Sequence, residues 1–210
     1  MGKKRSLCLQ ILPTPPHFNN LGILTVVSKH SFSSSGIVLK RSNTGETDRI
    51  VVLLTQEFGK MTCVAKGVRT LHSSKRAFLE PGNYIKGFFI ATKSLPLLTQ
   101  ATLIESCDQL ERTLPKLRQL TQVLEIFEKL FVEQELDEHI FSRILRLRSR
   151  ITTNAATVTF ITTELRKIIT ELGYQDPNDS KYANITEYMT ALSDKPMRSF
   201  EYLTLSSNKK

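Results

Sequence analysis

The pattern of hydrophobic positions changes character near residue 106. Between residues 36 and 106, short runs rich in Val, Ile, Thr and Phe alternate with Gly, Asn and Pro, as is typical of strands joined by tight turns. The predicted strands cover residues 36–41, 49–55, 60–66, 83–92 and 97–105. Five strands suit a small closed barrel because closure removes exposed sheet edges.

After residue 106 the apolar period becomes helical. Apolar residues recur three or four positions apart and predict helices near 109–133, 140–151 and 158–172, the last ending at Gly173. Pro115 either kinks the first of these helices or marks its first turn. Two short helical segments, near 185–192 and 197–205, follow a polar loop at 175–184. The predicted fold class is therefore α+β, a barrel followed by a helical bundle.

The first 33 residues have little periodicity and contain Pro13, Pro15 and Pro16, so we interpret them as an extension or linker. They fit a secretory or myristoylation signal poorly. No run of about 18 apolar residues predicts a membrane span. Cys8, Cys63 and Cys107 are odd in number and scattered, which favours a reducing compartment and argues against a zinc site.

The formal net charge of +9 is concentrated in the N-terminal half of the chain. Residues 1–30 carry four basic and no acidic side chains, residues 31–104 carry ten and four, and the remainder carries fifteen and sixteen. Basic side chains gain affinity for nucleic acid by releasing counterions from phosphates. This asymmetry favours a polyanionic partner, although a basic domain without such a role remains the alternative.

Cations cluster at the ends and loops of the predicted strands. Basic residues in such places form the groove through which small barrels follow a nucleic-acid backbone. The candidate DNA-binding residues are Lys40, Arg41, Arg49, Lys60, Lys66, Arg69, Lys75 and Arg76.

Five aromatic residues of the barrel are candidates for stacking on bases, with core packing as the favoured alternative for each. Phe88 and Phe89 are adjacent in a strand, so only one of them can face outward. The other three are Phe58, Phe78 and Tyr84.

The second predicted helix carries an arginine stripe, Arg143, Arg146 and Arg150, with Arg148 nearby. Such a stripe is usually a solvated face. The alternative is a contact with an acidic peptide or with DNA, since guanidinium groups pair well with carboxylates and phosphates.

No pattern supports catalysis. Thr44-Gly45-Glu46 lacks the features of a phosphate-binding loop, and the four histidines lack metal-binding spacing. We therefore expect no enzymatic activity, no metal and no cofactor.

Several short motifs resemble the RecO family of recombination mediators. They are Gly36-Ile37-Val38-Leu39-Lys40-Arg41, residues 45–51 (GETDRIV), residues 54–60 (LTQEFGK), residues 65–69 (AKGVR), Leu79-Glu80-Pro81 and residues 195–199 (KPMRS). The resemblance covers roughly residues 35–205, with specific motifs in its first third and only a helical pattern in its middle.

This resemblance implies an N-terminal OB-fold barrel followed by a helical domain without catalytic residues. It also implies binding to single- and double-stranded DNA, with RecR and the single-strand-binding protein as partners. The function implied is recombinational repair in the RecF pathway, by strand annealing and recombinase loading. The alternative is a protein-interaction scaffold with little DNA affinity of its own.

The family's DNA contacts would fall on Arg49, Lys60, Lys66, Arg69, Lys75 and Arg76. Many members carry a four-cysteine zinc module, but the loop at 175–184 has no cysteine, so zinc is expected to be absent. We expect an extension at 1–33, an OB-fold DNA-binding domain at 34–106 and a helical domain at 107–210, in a cytoplasmic, nucleoid-associated protein. Residues 1–33 lie outside the family pattern. They are either a genuine basic arm or the result of an upstream start-codon choice, and the second explanation is favoured.

Overall fold

Five strands form a closed barrel in the N-terminal part of the chain. The computed structural model describes residues 31–70, 73, 75–108, 114–182, 184–199 and 203. The strands are β1 (Ser31–Thr44), β2 (Asp48–Thr55), β3 (Gly59–Ala65), β4 (Tyr84–Ile90) and β5 (Leu97–Glu105), in the order β1-β2-β3-β5-β4. All five predicted strands are confirmed, and the topology is that of an OB-fold.

Strand β1 is longer than its hydrophobic run predicts. Its first half pairs with β4, from Ser31 opposite Ile90 to Ile37 opposite Tyr84, while its second half pairs with β2. The serines at 31–35 have weak strand propensity, but pairing with a neighbouring strand outweighs it. The barrel therefore begins within the segment that we interpreted as an extension. The rest of that segment, residues 1–30, lies outside the described residues.

Among the described residues, four α-helices follow the barrel, in addition to a short helix, α1 (Lys75–Phe78), between β3 and β4. They are α2 (Leu114–Leu130), α3 (Glu138–Thr152), α4 (Val158–Glu171) and α5 (Ile185–Ser193). Pro115 is the second residue of α2, as the first-turn interpretation expects. Gly173 has φ +87° immediately after α4 and ends it as predicted. The helix expected at 197–205 is wrong for residues 197–199, which are irregular, and most of the remainder lies outside the described residues.

The helices pack directly on one side of the barrel. Val38 points into the barrel core, whereas its neighbours Ile37 and Leu39 are buried against the helical core. Consecutive buried residues are expected in a strand that is covered on both faces. The central part of β1 thus joins two hydrophobic cores, and only the remaining surface of the barrel is available for a ligand.

Candidate nucleic-acid interface

One end of the barrel gathers exposed cations around the turn between β1 and β2. The Arg69 backbone N–H donates to the Thr47 carbonyl at 2.9 Å, and Arg69 Nη1 donates to the Gly45 carbonyl at 3.2 Å. The Gly67 N–H donates to Asp48 Oδ1 at 2.9 Å, and this bond lowers the pKa of the Asp48 carboxyl. These bonds hold Lys66 and Arg69, both exposed, beside the turn.

A second group of cations surrounds Glu80. Arg41 donates from Nε to Glu80 Oε2 at 2.8 Å, and Arg49 Nη1 lies 3.5 Å from Glu80 Oε1. Arg49 also donates to the Arg76 carbonyl at 3.4 Å, which joins this group to the exposed Arg76. Burial lowers the pKa of Arg49, and Arg41 lowers it further, while Glu80 opposes both effects.

Arg49 is therefore a positioning residue more than a free contact. It is 4% exposed, and its Nε is buried without a hydrogen-bond partner among the described residues. Its charge contributes to the field at this end of the barrel, where cations outnumber the carboxylates Glu46, Asp48 and Glu80.

Lys75 connects this end of the barrel to an outward-facing aromatic ring. Its Nζ donates to the Thr99 carbonyl at 3.1 Å, and the Thr99 hydroxyl donates to the Phe88 carbonyl at 2.9 Å. Thr99 lies at a register shift between β4 and β5, where Gln100 pairs with Phe88 and Leu98 pairs with Phe89. A bulge of this kind changes the direction in which nearby side chains point.

The structure separates the two adjacent phenylalanines as the strand alternation predicts. Phe88 is 40% exposed, and Phe89 is buried in the barrel core. Lys86 Nζ lies 5.9 Å from the centre of the Phe88 ring, so a cation accompanies the exposed aromatic face. Lys86 was missed in the sequence, although its place two residues before Phe88 puts both on the same face of β4.

The other aromatic candidates differ in exposure. Phe58 is 40% exposed and contacts Phe32, with ring centres 4.9 Å apart. Phe78 and Tyr84 are partly buried, against the barrel core and the helical core respectively. Phe88 is consequently the aromatic that best combines exposure with neighbouring cations.

Lys40 and Lys60 lie on the side of the barrel that faces α2. Lys40 Nζ pairs with Glu128 Oε1 at 3.2 Å, and Lys60 Nζ donates to the Glu128 carbonyl at 2.8 Å. Their ammonium groups thus join the barrel to α2, whereas Arg41, the neighbour of Lys40, binds Glu80. The structure does not bring all eight candidate cations to one surface.

The predicted arginine stripe on α3 is divided among different roles. Arg143 donates to Glu164 at 3.0 Å and to Glu171 at 2.9 Å, which ties α3 to α4. Arg150 stacks over Phe160, with its Cζ 4.2 Å from the ring centre, and Arg146 is exposed. Arg146 and Arg150 therefore present charge to solvent, while Arg143 is largely engaged within the helical part.

Arg148 has a structural role that the sequence did not reveal. It is 1% exposed, and its guanidinium donates from Nε to the Gly82 carbonyl at 2.7 Å and from Nη2 to the Glu105 carbonyl at 2.9 Å. Nη1 pairs with the Glu105 carboxylate. Helical periodicity could have shown that Arg148 lies off the stripe. It could not have identified the hydrogen-bond acceptors of Arg148, because they are distant in sequence.

The described residues contain no group of three His, Cys, Asp or Glu side chains that could hold a metal ion. Cys63 and Cys107 are buried free thiols, and burial raises the pKa of Cys63 to about 12. A thiol in such surroundings is a poor nucleophile. Within the described part of the chain, no helix is long and apolar enough to cross a membrane.

Comparison with known proteins identifies the barrel. Residues 30–107 match the family model described as "Recombination protein O N terminal". A DNA repair protein RecO of Salinibacter ruber is 30% identical over 120 residues, which cover 56% of this chain and 46% of that protein. The RecO of Symbiobacterium thermophilum is 31% identical over 107 residues (51% and 42%), and that of Streptomyces coelicolor is 40% identical over 79 residues (35% and 32%).

The region that matches the family model coincides with the barrel. The family match begins one residue before β1 and ends two residues after β5, so it spans the complete barrel. The chain matches half or less of the length of these relatives. The N-terminal OB-fold barrel of this chain is therefore similar to the N-terminal domain of RecO proteins.

Proposed function

We propose that this chain is a DNA-binding recombination mediator that acts in recombinational repair. The observation that carries the proposal is the group of exposed cations at one end of the RecO barrel, formed by Lys66, Arg69 and Arg76 with the partly buried Lys75. Cations in this arrangement bind the phosphate backbone without reading sequence. The relatives' names, DNA repair protein RecO, support a role in repair.

The eight candidate cations contribute in two ways in this proposal. Lys66, Arg69, Lys75 and Arg76 contact phosphates directly. Lys40, Arg41 and Arg49 pair with carboxylates of the chain, and Lys60 binds the Glu128 carbonyl beside α2, so these four contribute to the electrostatic field and position the other side chains. Arg69 and Lys75 donate only to backbone carbonyls, which leave their charge available to phosphates. Arg146 and Arg150 remain candidates for a contact with DNA or a partner, whereas Arg143 holds α4.

Replacing the four direct contacts tests this surface. The variant Lys66→Ala, Arg69→Ala, Lys75→Ala, Arg76→Ala is expected to weaken binding to single strands of any sequence, with the slope of log K against log salt reduced by about 3. Fluorescence polarisation at a series of salt concentrations measures both quantities. A control variant replaces three exposed cations of the helical part, Lys181, Lys195 and Arg198, and should keep the original slope. Equal slopes in the quadruple variant and the unmodified chain would disprove the assignment.

The exposed ring of Phe88 is expected to stack on the unpaired bases of single-stranded DNA. Phe88→Ala should weaken binding to a single strand by about 1–3 kcal/mol, because a stacked base loses its aromatic partner, while duplex binding changes little. Phe58→Ala is a matched control, because Phe58 is equally exposed. Binding titrations with both variants and both DNA forms decide the matter. If Phe88→Ala binds a single strand as tightly as the unmodified chain does, Phe88 does not stack on bases.

The mediator role includes strand annealing and recombinase loading with RecR on DNA coated by single-strand-binding protein. The proposed division of the chain is an extension that ends at residue 30, immediately before β1, instead of at the expected residue 33, followed by a DNA-binding domain up to residue 106 and a helical domain at 107–210. An annealing assay with complementary strands coated by the cognate single-strand-binding protein tests the role. The chain should accelerate annealing, and the quadruple variant should lose that effect.

A protein-interaction scaffold is the second candidate function. The observation that favours it is the engagement of Lys40, Arg41 and Arg49 with carboxylates of the chain itself, which reduces the charge available to DNA. A scaffold would bind single-stranded DNA only weakly at moderate salt while still binding its protein partners.

A further inference from the structure

An acidic cleft of about 340 Å³ opens on the side of the barrel beside the start of β1. Its walls come from the turn between β2 and β3, the connection between β4 and β5, and the connection between α2 and α3. Its apolar surface is formed by Phe32, Phe58, Met61, Leu95 and Pro96, and its carboxylates are those of Glu57, Glu133 and Glu135.

Backbone hydrogen bonds fix the walls of the acidic cleft. The Lys60 N–H donates to the Val132 carbonyl at 2.9 Å, and the Leu136 N–H donates to the Gln56 carbonyl at 2.8 Å. The Val64 N–H donates to the Pro96 carbonyl at 2.9 Å. A cleft formed in advance binds a ligand without the entropic cost of ordering its walls.

The chemistry of the acidic cleft suits a segment that is both apolar and basic. Phe58 is 40% exposed, and the neighbouring Val132 is 61% exposed. Glu133 and Glu135 are exposed, whereas the single described cation of the lining, Lys60, already binds the Glu128 carbonyl. The cleft therefore offers an aromatic floor and an excess of negative charge.

The first 30 residues of the chain have the complementary composition. This N-terminal arm contains Lys3, Lys4, Arg5 and Lys29 and no acidic residue. It also contains an apolar run at residues 21–27 (LGILTVV). The arm joins the barrel at Ser31, next to Phe32, whose ring lines the acidic cleft. Two residues of chain span at most about 7 Å, so Lys29 is tethered close to the cleft.

We propose that the N-terminal arm docks in the acidic cleft of its own chain. Residues 21–27 cover the aromatic floor, and Lys29 pairs with Glu133 or Glu135 at the rim. A short tether raises the effective concentration of the arm to the millimolar range, so weak contacts are sufficient to hold it. The inference is independent of DNA binding, because the acidic cleft and the cations around Glu80 are formed by different residues.

Zero-length carbodiimide crosslinking of the full chain at low salt tests the proposal. Amide links from Lys29, Lys3 or Lys4 to Glu133, Glu135 or Glu57 are expected, mapped by mass spectrometry. They should disappear in the variant Glu57→Gln, Glu133→Gln, Glu135→Gln. They should persist when exposed glutamates elsewhere are replaced, as in Glu46→Gln with Glu138→Gln. Links spread evenly over all exposed carboxylates would overturn the proposal.

A mixture of isotopically light and heavy chains distinguishes the source of the arm. Links within one chain support the proposal, and links between light and heavy chains contradict it by showing that the arm reaches a second copy. Fluorescence gives a second readout because the sequence contains no tryptophan. In a Phe58→Trp chain, the emission should shift to the red when Lys3, Lys4, Arg5 and Lys29 are all changed to Glu. Unchanged emission would also overturn the proposal.

Discussion

Replacing Gly59 with alanine is expected to destabilise the protein by about 3 kcal/mol or more, because the turn between β2 and β3 has no room for a side chain. Gly59 has φ +60°, and a Cβ atom there would lie 2.1 Å from the Gln134 carbonyl oxygen and 2.5 Å from the Val132 carbonyl oxygen. Both contacts are with backbone, which cannot rotate aside. The turn would have to move and give up its hydrogen bonds to the α2–α3 connection.

Gly45→Ala is the matched control for this prediction. Gly45 has φ +56°, but a Cβ atom there would meet nothing within 4 Å. Gly45→Ala should lower the free energy of unfolding by only about 1 kcal/mol, because alanine is strained in the left-handed backbone conformation. Urea unfolding of the three proteins measures the difference. Similar losses of stability for Gly59→Ala and Gly45→Ala would contradict the close contact between barrel and helices at this turn.

Arg148→Ala is expected to cost about 3–4 kcal/mol of stability, because the guanidinium satisfies two backbone carbonyls and fills buried space. Arg148 belongs to α3, while its acceptors belong to Glu105, the last residue of β5, and Gly82, shortly before β4. The guanidinium therefore connects the barrel to the helical part. Arg148→Lys should recover only part of the loss, since an ammonium group lacks the planar fork that reaches several acceptors.

Arg146→Ala provides the control on the same helix. Arg146 is exposed, so its replacement should change the free energy of unfolding by no more than about 0.5 kcal/mol. Chemical denaturation with a constant m-value establishes both effects. If Arg148→Ala were as mild as Arg146→Ala, the buried contacts of the guanidinium would not stabilise the fold.

Local patterns in the sequence were sufficient to predict most of the fold. Strand propensity and turn residues gave all five strands, and apolar periodicity gave α2, α3, α4 and α5. The exception in the barrel is instructive: residues 31–35 are rich in serine, and only their pairing with β4 makes them a strand. Pairing between strands distant in sequence is invisible to a reading of local pattern.

The candidate site was harder to predict. The sequence shows which side chains are cationic, but it does not show which of them pair with carboxylates in the fold. Lys40 pairs with Glu128, and Arg41 pairs with Glu80; both carboxylates are distant in sequence. Arg148 lies near the predicted arginine stripe in sequence, yet it is buried against Glu105. Sequence alone also left open which of Phe88 and Phe89 faces outward. The fold decides these questions, because it determines which side chains meet.

The proposed function requires the N-terminal barrel to hold DNA through its exposed cations. The most direct measurement is the affinity of the unmodified full chain for a fluorescent single strand over a series of salt concentrations. Clear binding is expected at moderate salt, with log K falling linearly as log salt rises and a slope of about −3 or steeper. Weak binding at moderate salt, or affinity independent of salt, would contradict the proposed function.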